Sequence, residues 1–325
     1  MSAPAFSSCL AVQMRRFVEL RRFTGRSYDG QALNLSRFDC FLQRQNWAGR
    51  HITRELVQGY RCGLGYLSPV TQRCRMTVVR QFCLYLSALE PGCYVPVRGE
   101  WTWRAVPRRL PFVFSEREAG ALAAAAGRLS ALPYALRPHV YRTLFGLLYA
   151  TGLRIGEALA LNVGDIDLAG RRLFVRKGKF GKQRWVALSD SSCARLEGYL
   201  RLRLPACAEG ALSPMFVGLG GRRLAKRTAA GNFSWVLRAC GIGRRGLVSP
   251  TLHSLRHTFA CHCLLVWYRQ GVDVNARLPV LAACMGHADA RYSYRYLHAT
   301  PELLGEAERR FRERYRHITE KEAAI

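Results

Sequence analysis

Seven polar residues stand out in the second half of this 325-residue sequence: Arg154 in ATGLRIGEAL, Lys179 in RKGKFGKQRW, His253, Arg256 and His257 in LHSLRH, His287 in MGH, and Tyr296 in SYRYLH. Two arginines, a lysine, two or three histidines and a tyrosine are the set that cleavage of a phosphodiester by a protein hydroxyl requires. A phenol, with an ordinary pKa near 10, is a poor nucleophile at neutral pH unless nearby cations favour its ionised form. Arg154 and Arg256 can supply that charge while holding the non-bridging oxygens, because a guanidinium stays charged and its planar fork matches phosphate. An ammonium on a turn, as at Lys179, suits protonation of the departing oxygen. Arg154 opens a helix, where a cation opposes the helix dipole, so the placement implies an anion there as well. Glu157, three residues on and on the same face, can orient that guanidinium or be a plain surface carboxylate.

Other readings of these residues remain open on spacing alone. Tyr292 shares a helical face with Tyr296, and either could serve for packing or stacking. The sequence holds five lysines, three of them, Lys177, Lys179 and Lys182, in one short segment, and each could be a simple phosphate contact. His287 could cap a helix. His253, His257 and Cys261 follow at four-residue intervals with Cys263 near, but no fourth-ligand pattern accompanies them, so a zinc site is disfavoured.

In this order the motifs resemble the tyrosine recombinase (phage integrase-type, site-specific recombinase) family over roughly residues 112 to 300: a TGLR box, a lysine hairpin, an HxLRH box, a GH, and a tyrosine nine residues beyond that histidine. The resemblance implies that Tyr296 is the nucleophile, that Arg154, His253, Arg256 and His287 bind the scissile phosphate, and that Lys179 is the general acid. It makes Glu157 and His257 supporting residues. The implied reaction runs through a 3′-phosphotyrosyl intermediate that a second strand's 5′-hydroxyl reverses, with no cofactor, ATP or metal. The implied partner is double-stranded DNA with specific recombination sites, bound by a homo-tetramer or a mixture with sister recombinases. The segment WYRQGVDVNARLPVLAACMGH is longer than the commonest form of the family; the insertion around Asn275 to Pro279 resembles members carried by transposons and other mobile elements. Two other functions use the same features: type IB topoisomerase-like relaxation, and a catalytically silent DNA-binding accessory subunit. A general RNA-binding protein is disfavoured, since no aromatic-rich sheet motif is present.

The bulk composition agrees with a polyanionic partner. There are 50 basic against 22 acidic residues, a net charge of +28. Codon bias explains arginine in place of lysine, but not the shortage of Asp and Glu. Twelve scattered cysteines without a Cys-X-X-Cys pair suit reduced thiols. The N-terminal segment has its charges after its apolar part, unlike a secretory signal, and no run reaches the length of a membrane span. A cytoplasmic, nucleoid-associated protein with no membrane partner is expected.

To position such a site, the chain needs a mainly α fold with a small β-hairpin or sheet. A break at WTWRAVPRRLPFVF predicts a linker over 106 to 112, between a helical DNA-binding (core-binding) domain, 1 to 105, and a catalytic domain with a tail helix, 113 to 325. Upstream, helices are expected over Leu10 to Thr24, Gln31 to Asn46, His51 to Gly59 and Ser68 to Leu89. In the last, Met76, Val79, Phe82, Cys83 and Leu86 form an apolar stripe, with Arg73 and Arg80 on another face as DNA contacts alongside Lys177 and Lys182 of the second domain. Downstream, Ser115 caps a helix; others are expected over Pro138 to Ala150, from Arg154, and over Ser191 to Arg203, Gly231 to Arg238, Ser254 to Gln270, Leu278 to Met285 and Pro301 to Tyr315. Strands at Leu173 to Val175 and Arg184 to Leu188 would place Lys179 near a hairpin tip. Leu303, Leu304, Ala307, Phe311 and Tyr315 would line one face of the tail, which docks on a neighbouring protomer or on its own domain.

Overall fold

The computed structural model describes residues 5–25, 28–49, 51–100, 110–176, 178, 183–204, 210–287, 289, 291–297 and 300–322. Two compact units divide the chain, Met1–Arg108 and Arg109–Ile325.

The first unit holds helices α1 (Ala11–Phe23), α2 (Asp29–Arg44), α3 (Arg54–Cys62) and α4 (Pro69–Ser87). Hydroxyl caps set two starts: Thr53 accepts from Leu56 N, and Ser68 accepts from Thr71 N ahead of Pro69. The predicted stripe of α4, Met76, Val79, Phe82, Cys83 and Leu86, is wholly buried, in one core with Phe17 of α1 and Leu35 and Phe38 of α2. Of the two arginines expected on the free face of α4, Arg73 is exposed. Arg80 is half-buried and donates its Nε to the Pro96 carbonyl at 2.8 Å.

The second unit holds α5 (Glu116–Gly127), α6 (Arg137–Thr151), α7 (Ile155–Ala160), strands β1 (Ile166–Asp167), β2 (Arg172–Val175) and β3 (Arg184–Ala187), then α8 (Asp190–Arg203), α9 (Lys226–Ala239), α10 (Leu252–Arg269), α11 (Val274–Met285), α12 (Arg291–Tyr294) and α13 (Pro301–Glu322). The strands form an antiparallel sheet in the order β1-β2-β3, with Val175 opposite Arg184 and Leu173 opposite Val186. The main core gathers α5, α6, α8, α9 and the inner face of the sheet. A separate cluster joins Cys261 and Leu264 of α10, Leu278, Leu281 and Met285 of α11, Tyr296, and Leu303 of α13. Among the described residues, no helix is long and apolar enough to cross a membrane.

Three expectations need correction. Helix α9 begins at Lys226, five residues before the expected Gly231. The segment around Asn275 to Pro279 is the first half of α11: Asp273 caps it by accepting from Asn275 N at 2.9 Å, and Pro279 lies inside the helix. In the tail, Leu303 is fully buried whereas Leu304, Phe311 and Tyr315 are exposed, so the chain's own domain covers the expected apolar face only at one edge. Helix α13 packs against the chain's own α10, and Arg310 donates to the carbonyls of Gly271 and Val272 at 3.1 Å each.

Candidate active site

The site forms where helix ends meet. Helix α6 terminates at Gly152, whose φ of +63° belongs to the left-handed region. A Cβ there would lie 2.3 Å from the Phe259 ring, so glycine is demanded twice over. The chain turns through Leu153 and delivers Arg154 to the N-cap of α7. Glu157, at the third position of that helix, accepts the Arg154 backbone N–H at 3.1 Å and the Arg154 Nη1 at 2.7 Å. The sequence left Glu157 open between an orienting role and a surface one; it is buried and bonded to Arg154.

Helix α10 starts behind Thr251, which shares reciprocal bonds with Ser254. On its first turns stand His253, Arg256 and His257. Arg256 is 1% exposed, yet its guanidinium is tied only to backbone carbonyls: Nη1 to Gly152 at 2.6 Å and Nη2 to Met285 at 2.8 Å. Helix α11 ends at Gly286, φ +64°, with the N–H of His287 returning to the Ala282 carbonyl at 2.9 Å. Arg154 Nη2 donates to the Gly286 carbonyl at 3.0 Å. The two guanidinium groups therefore anchor on adjacent carbonyls, each keeping three of its five N–H groups without a partner among the described residues.

His287, just past that turn, shares a 2.8 Å bond between Nδ1 and Ser293 Oγ, and its ring lies parallel to Tyr296 with centroids 6.3 Å apart. Tyr296 is 2% exposed, and its hydroxyl shares a 3.1 Å bond with His257 Nδ1. His253 packs edge-on against His257, centroids 4.5 Å apart. Six of the seven motif residues thus converge, Tyr296 rather than the exposed Tyr292 points inward, and Lys177, Lys179 and Lys182 lie outside the described residues. Among those residues no cluster of His, Cys, Asp or Glu is placed to hold a metal ion.

The electrostatics are those of a cation-lined cup. Burial, then the charge of His253 and of Arg295, hold His257 down at about 3 from an ordinary 6.5. Burial and the guanidinium groups of Arg256, Arg154 and Arg295 hold His253 and His287 at about 4. Arg256 is lowered to about 10 by burial and by Arg154, and so stays charged at neutral pH. Burial raises the Tyr296 phenol, against the pull of Arg256, Arg295 and Arg154. Glu157 would be raised by burial, but the bonds and charge of Arg184 and Arg154 keep it below the ordinary carboxylate range. Such a cup presents positive charge and hydrogen-bond donors that suit an anion.

Two residues were missed by the sequence reading. Arg295, exposed, precedes Tyr296, and its charge acts on Tyr296 and on all three histidines of the cup. Arg184 donates Nη2 and Nη1 to the two oxygens of Glu157 at 2.8 and 3.3 Å. The signal for Arg184 was present: it alternates with Val186 and Leu188, which are buried, so it occupies an inward position of a strand.

Residues 118–302 match the model of the phage integrase family. Putative integrase/recombinase y4rB of Sinorhizobium fredii (strain NBRC 101917 / NGR234) is 33% identical over 296 residues, 90% of this chain and 93% of that protein. Tyrosine recombinase XerC 2 of Ralstonia nicotianae (strain ATCC BAA-1114 / GMI1000) is 28% identical over 304 residues, 90% of this chain and 82% of the relative. The crystal structure of XerH site-specific recombinase bound to palindromic difH substrate, a post-cleavage complex, shares the fold with a TM-score of 0.63 at 18% identity, covering 95% of this chain and 90% of that one.

Proposed function

The chain belongs to the phage integrase family, the tyrosine recombinases that transfer DNA strands in site-specific recombination, and from that premise we propose how its own residues divide the work. Tyr296 attacks the scissile phosphorus and is joined to the 3′ side of the break. Arg154 and Arg256 clamp the non-bridging oxygens, where charge builds in the transition state. His253 and His287 donate further hydrogen bonds to them, Lys179 protonates the leaving 5′ oxygen, and Lys177 and Lys182 contact flanking phosphates. Because one phosphoester replaces another, the bond energy is kept for the second strand.

One observation carries this reading: the carbonyls of Met285 and Gly286, adjacent in the chain, receive guanidinium groups from two helices 102 positions apart in their motif residues, Arg154 and Arg256. His257 orients the phenol through its 3.1 Å bond to the hydroxyl, its own pKa held at about 3 in the DNA-free protein by burial and neighbouring charge. Against the burial that raises it, Arg256, Arg295 and Arg154 favour the ionised phenol. The first unit, with Arg73 and Arg80, serves as the DNA-binding (core-binding) domain, and the enzyme works as a homo-tetramer, or with sister recombinases, on paired recombination sites. Such a protein resides with the nucleoid in the cytoplasm.

The test is a nicked suicide duplex carrying the crossover site. The wild-type protein should be trapped as a covalent protein–DNA adduct, and Tyr296→Phe should form none. Strand exchange between two such sites separates this function from topoisomerase-like relaxation, which needs only one. A wild-type protein that bound the site and formed no adduct would be the accessory subunit instead.

A further inference from the structure

Three consecutive carbonyls close helix α11, and each accepts from a different arginine. Cys284 takes Arg184 Nε at 3.0 Å, Met285 takes Arg256 Nη2 at 2.8 Å, and Gly286 takes Arg154 Nη2 at 3.0 Å. Three cations from β3, α10 and the start of α7 thus cap the negative end of one helix dipole. Two of them belong to the phosphate clamp. The third has its side chain only 13% exposed and commits all three nitrogens to protein: Nε to the carbonyl, Nη1 and Nη2 to Glu157. Arg184 has no fork left for phosphate.

What it does follows from how Glu157 divides its oxygens. A buried carboxylate facing a single arginine is satisfied best by the full bidentate fork. Here Arg184 supplies the second cation, so Arg154 gives Glu157 one side-chain N–H and the Gly286 carbonyl another, and keeps its other three. Two guanidinium groups against one carboxylate also leave net positive charge facing the cup. The Gly286 turn is shaped to the same contact, since a Cβ there would lie 2.7 Å from Arg184 Nη1.

We infer that Arg184 is a positioning residue for strand cleavage: through Glu157 and the Cys284 carbonyl it aims Arg154 and the His287 turn at the scissile phosphate. This rests on the reading of Arg154 and Arg256 as the phosphate clamp. A residue acting this way is needed in proportion to the charge on the phosphate. A methylphosphonate linkage at the scissile position, in which a methyl group replaces one charged oxygen, removes most of that need.

The experiment is single-turnover adduct formation by the full chain on two suicide duplexes, one with an ordinary scissile phosphate and one with the methylphosphonate. On the ordinary phosphate, Arg184→Ala should be slowed about a hundredfold, as when one aimed donor is lost from an anion site, with DNA affinity unchanged. On the methylphosphonate its deficit against wild type should shrink to within about tenfold. Arg184→Lys should recover little, because one ammonium cannot span a carbonyl and both carboxylate oxygens. Glu157→Gln, close to isosteric, should repeat the substrate pattern and carries the test if Arg184→Ala does not fold by its thermal melt. Equal proportional losses on the two duplexes, or full rates in Arg184→Lys, would overturn the inference and leave the clamp standing. A wild-type protein without adduct on either duplex would overturn both.

Discussion

A phenol that must attack phosphorus gains nothing from burial, since removal from water favours its neutral form. Tyr296 is nonetheless raised by burial, and the histidines beside it are emptied of protons by the same dry, cationic surroundings. These shifts set a pH dependence of stability. In the unfolded chain His257 and His287 take up protons near 6.5; in the folded protein they refuse them until about 3 and about 4. Acidification through that window therefore favours the unfolded state: the stability is fully present above 6.5 and is lost as pH falls toward 4. Urea midpoints of the DNA-free protein at about pH 7.5 and about pH 5 should differ more for wild type than for His257→Asn, which cannot titrate. The candidate residues were legible because phosphate chemistry restricts the choice to a few side-chain types, and their order along the chain resembled a known one. For Arg184 only the inward strand position was legible; its bonds run to residues 27 and 100 positions away, which no local pattern displays.

At the scale of elements, the helix ends carry the site, and their signals differ in strength. Ser68, Ser115 and Thr251 are caps that a sequence displays openly, and the helices behind them were placed within a residue or two. Helix α9 starts behind Ala225, which has no side-chain cap to announce it, and Gly231 in its interior looked like its start. Strand β1 is two residues long and has no periodicity to detect. The turn at Gly152 is the element on which most depends, because its carbonyl holds Arg256 and its left-handed backbone aims Arg154. Gly152→Ala should be destabilised by roughly 3 kcal/mol, from left-handed strain and collision with Phe259. It should also slow adduct formation when assayed at a temperature where the variant is still folded. A urea titration beside the cleavage assay reads both; a variant stable and active as wild type would contradict the account of this turn.

At the scale of the whole chain, the net charge of +28 was legible from composition, and the division into two units from the proline-bracketed basic break. The course of the tail was not, because its apolar residues served equally for its own domain or a neighbour; Leu303 packs in the cluster of α10 and α11, while Leu304, Phe311 and Tyr315 stay exposed. Fifteen arginines lie in residues 1–105 and thirty beyond them, so both units should contact DNA phosphates. Log affinity for the site against log salt should fall with a slope of magnitude above about 3, since each neutralised phosphate adds close to one unit. A shallower slope would mean that only a few phosphates are contacted. Tyr296, the proposed nucleophile, also belongs to the apolar cluster of α10, α11 and α13. If Tyr296 is the nucleophile as proposed, the DNA-free protein keeps it withdrawn, and stray duplexes meet a covered phenol. Drawing one aromatic ring of this size from its apolar setting takes on the order of 2 kcal/mol, a toll that a correctly seated crossover site can meet and casual encounters cannot.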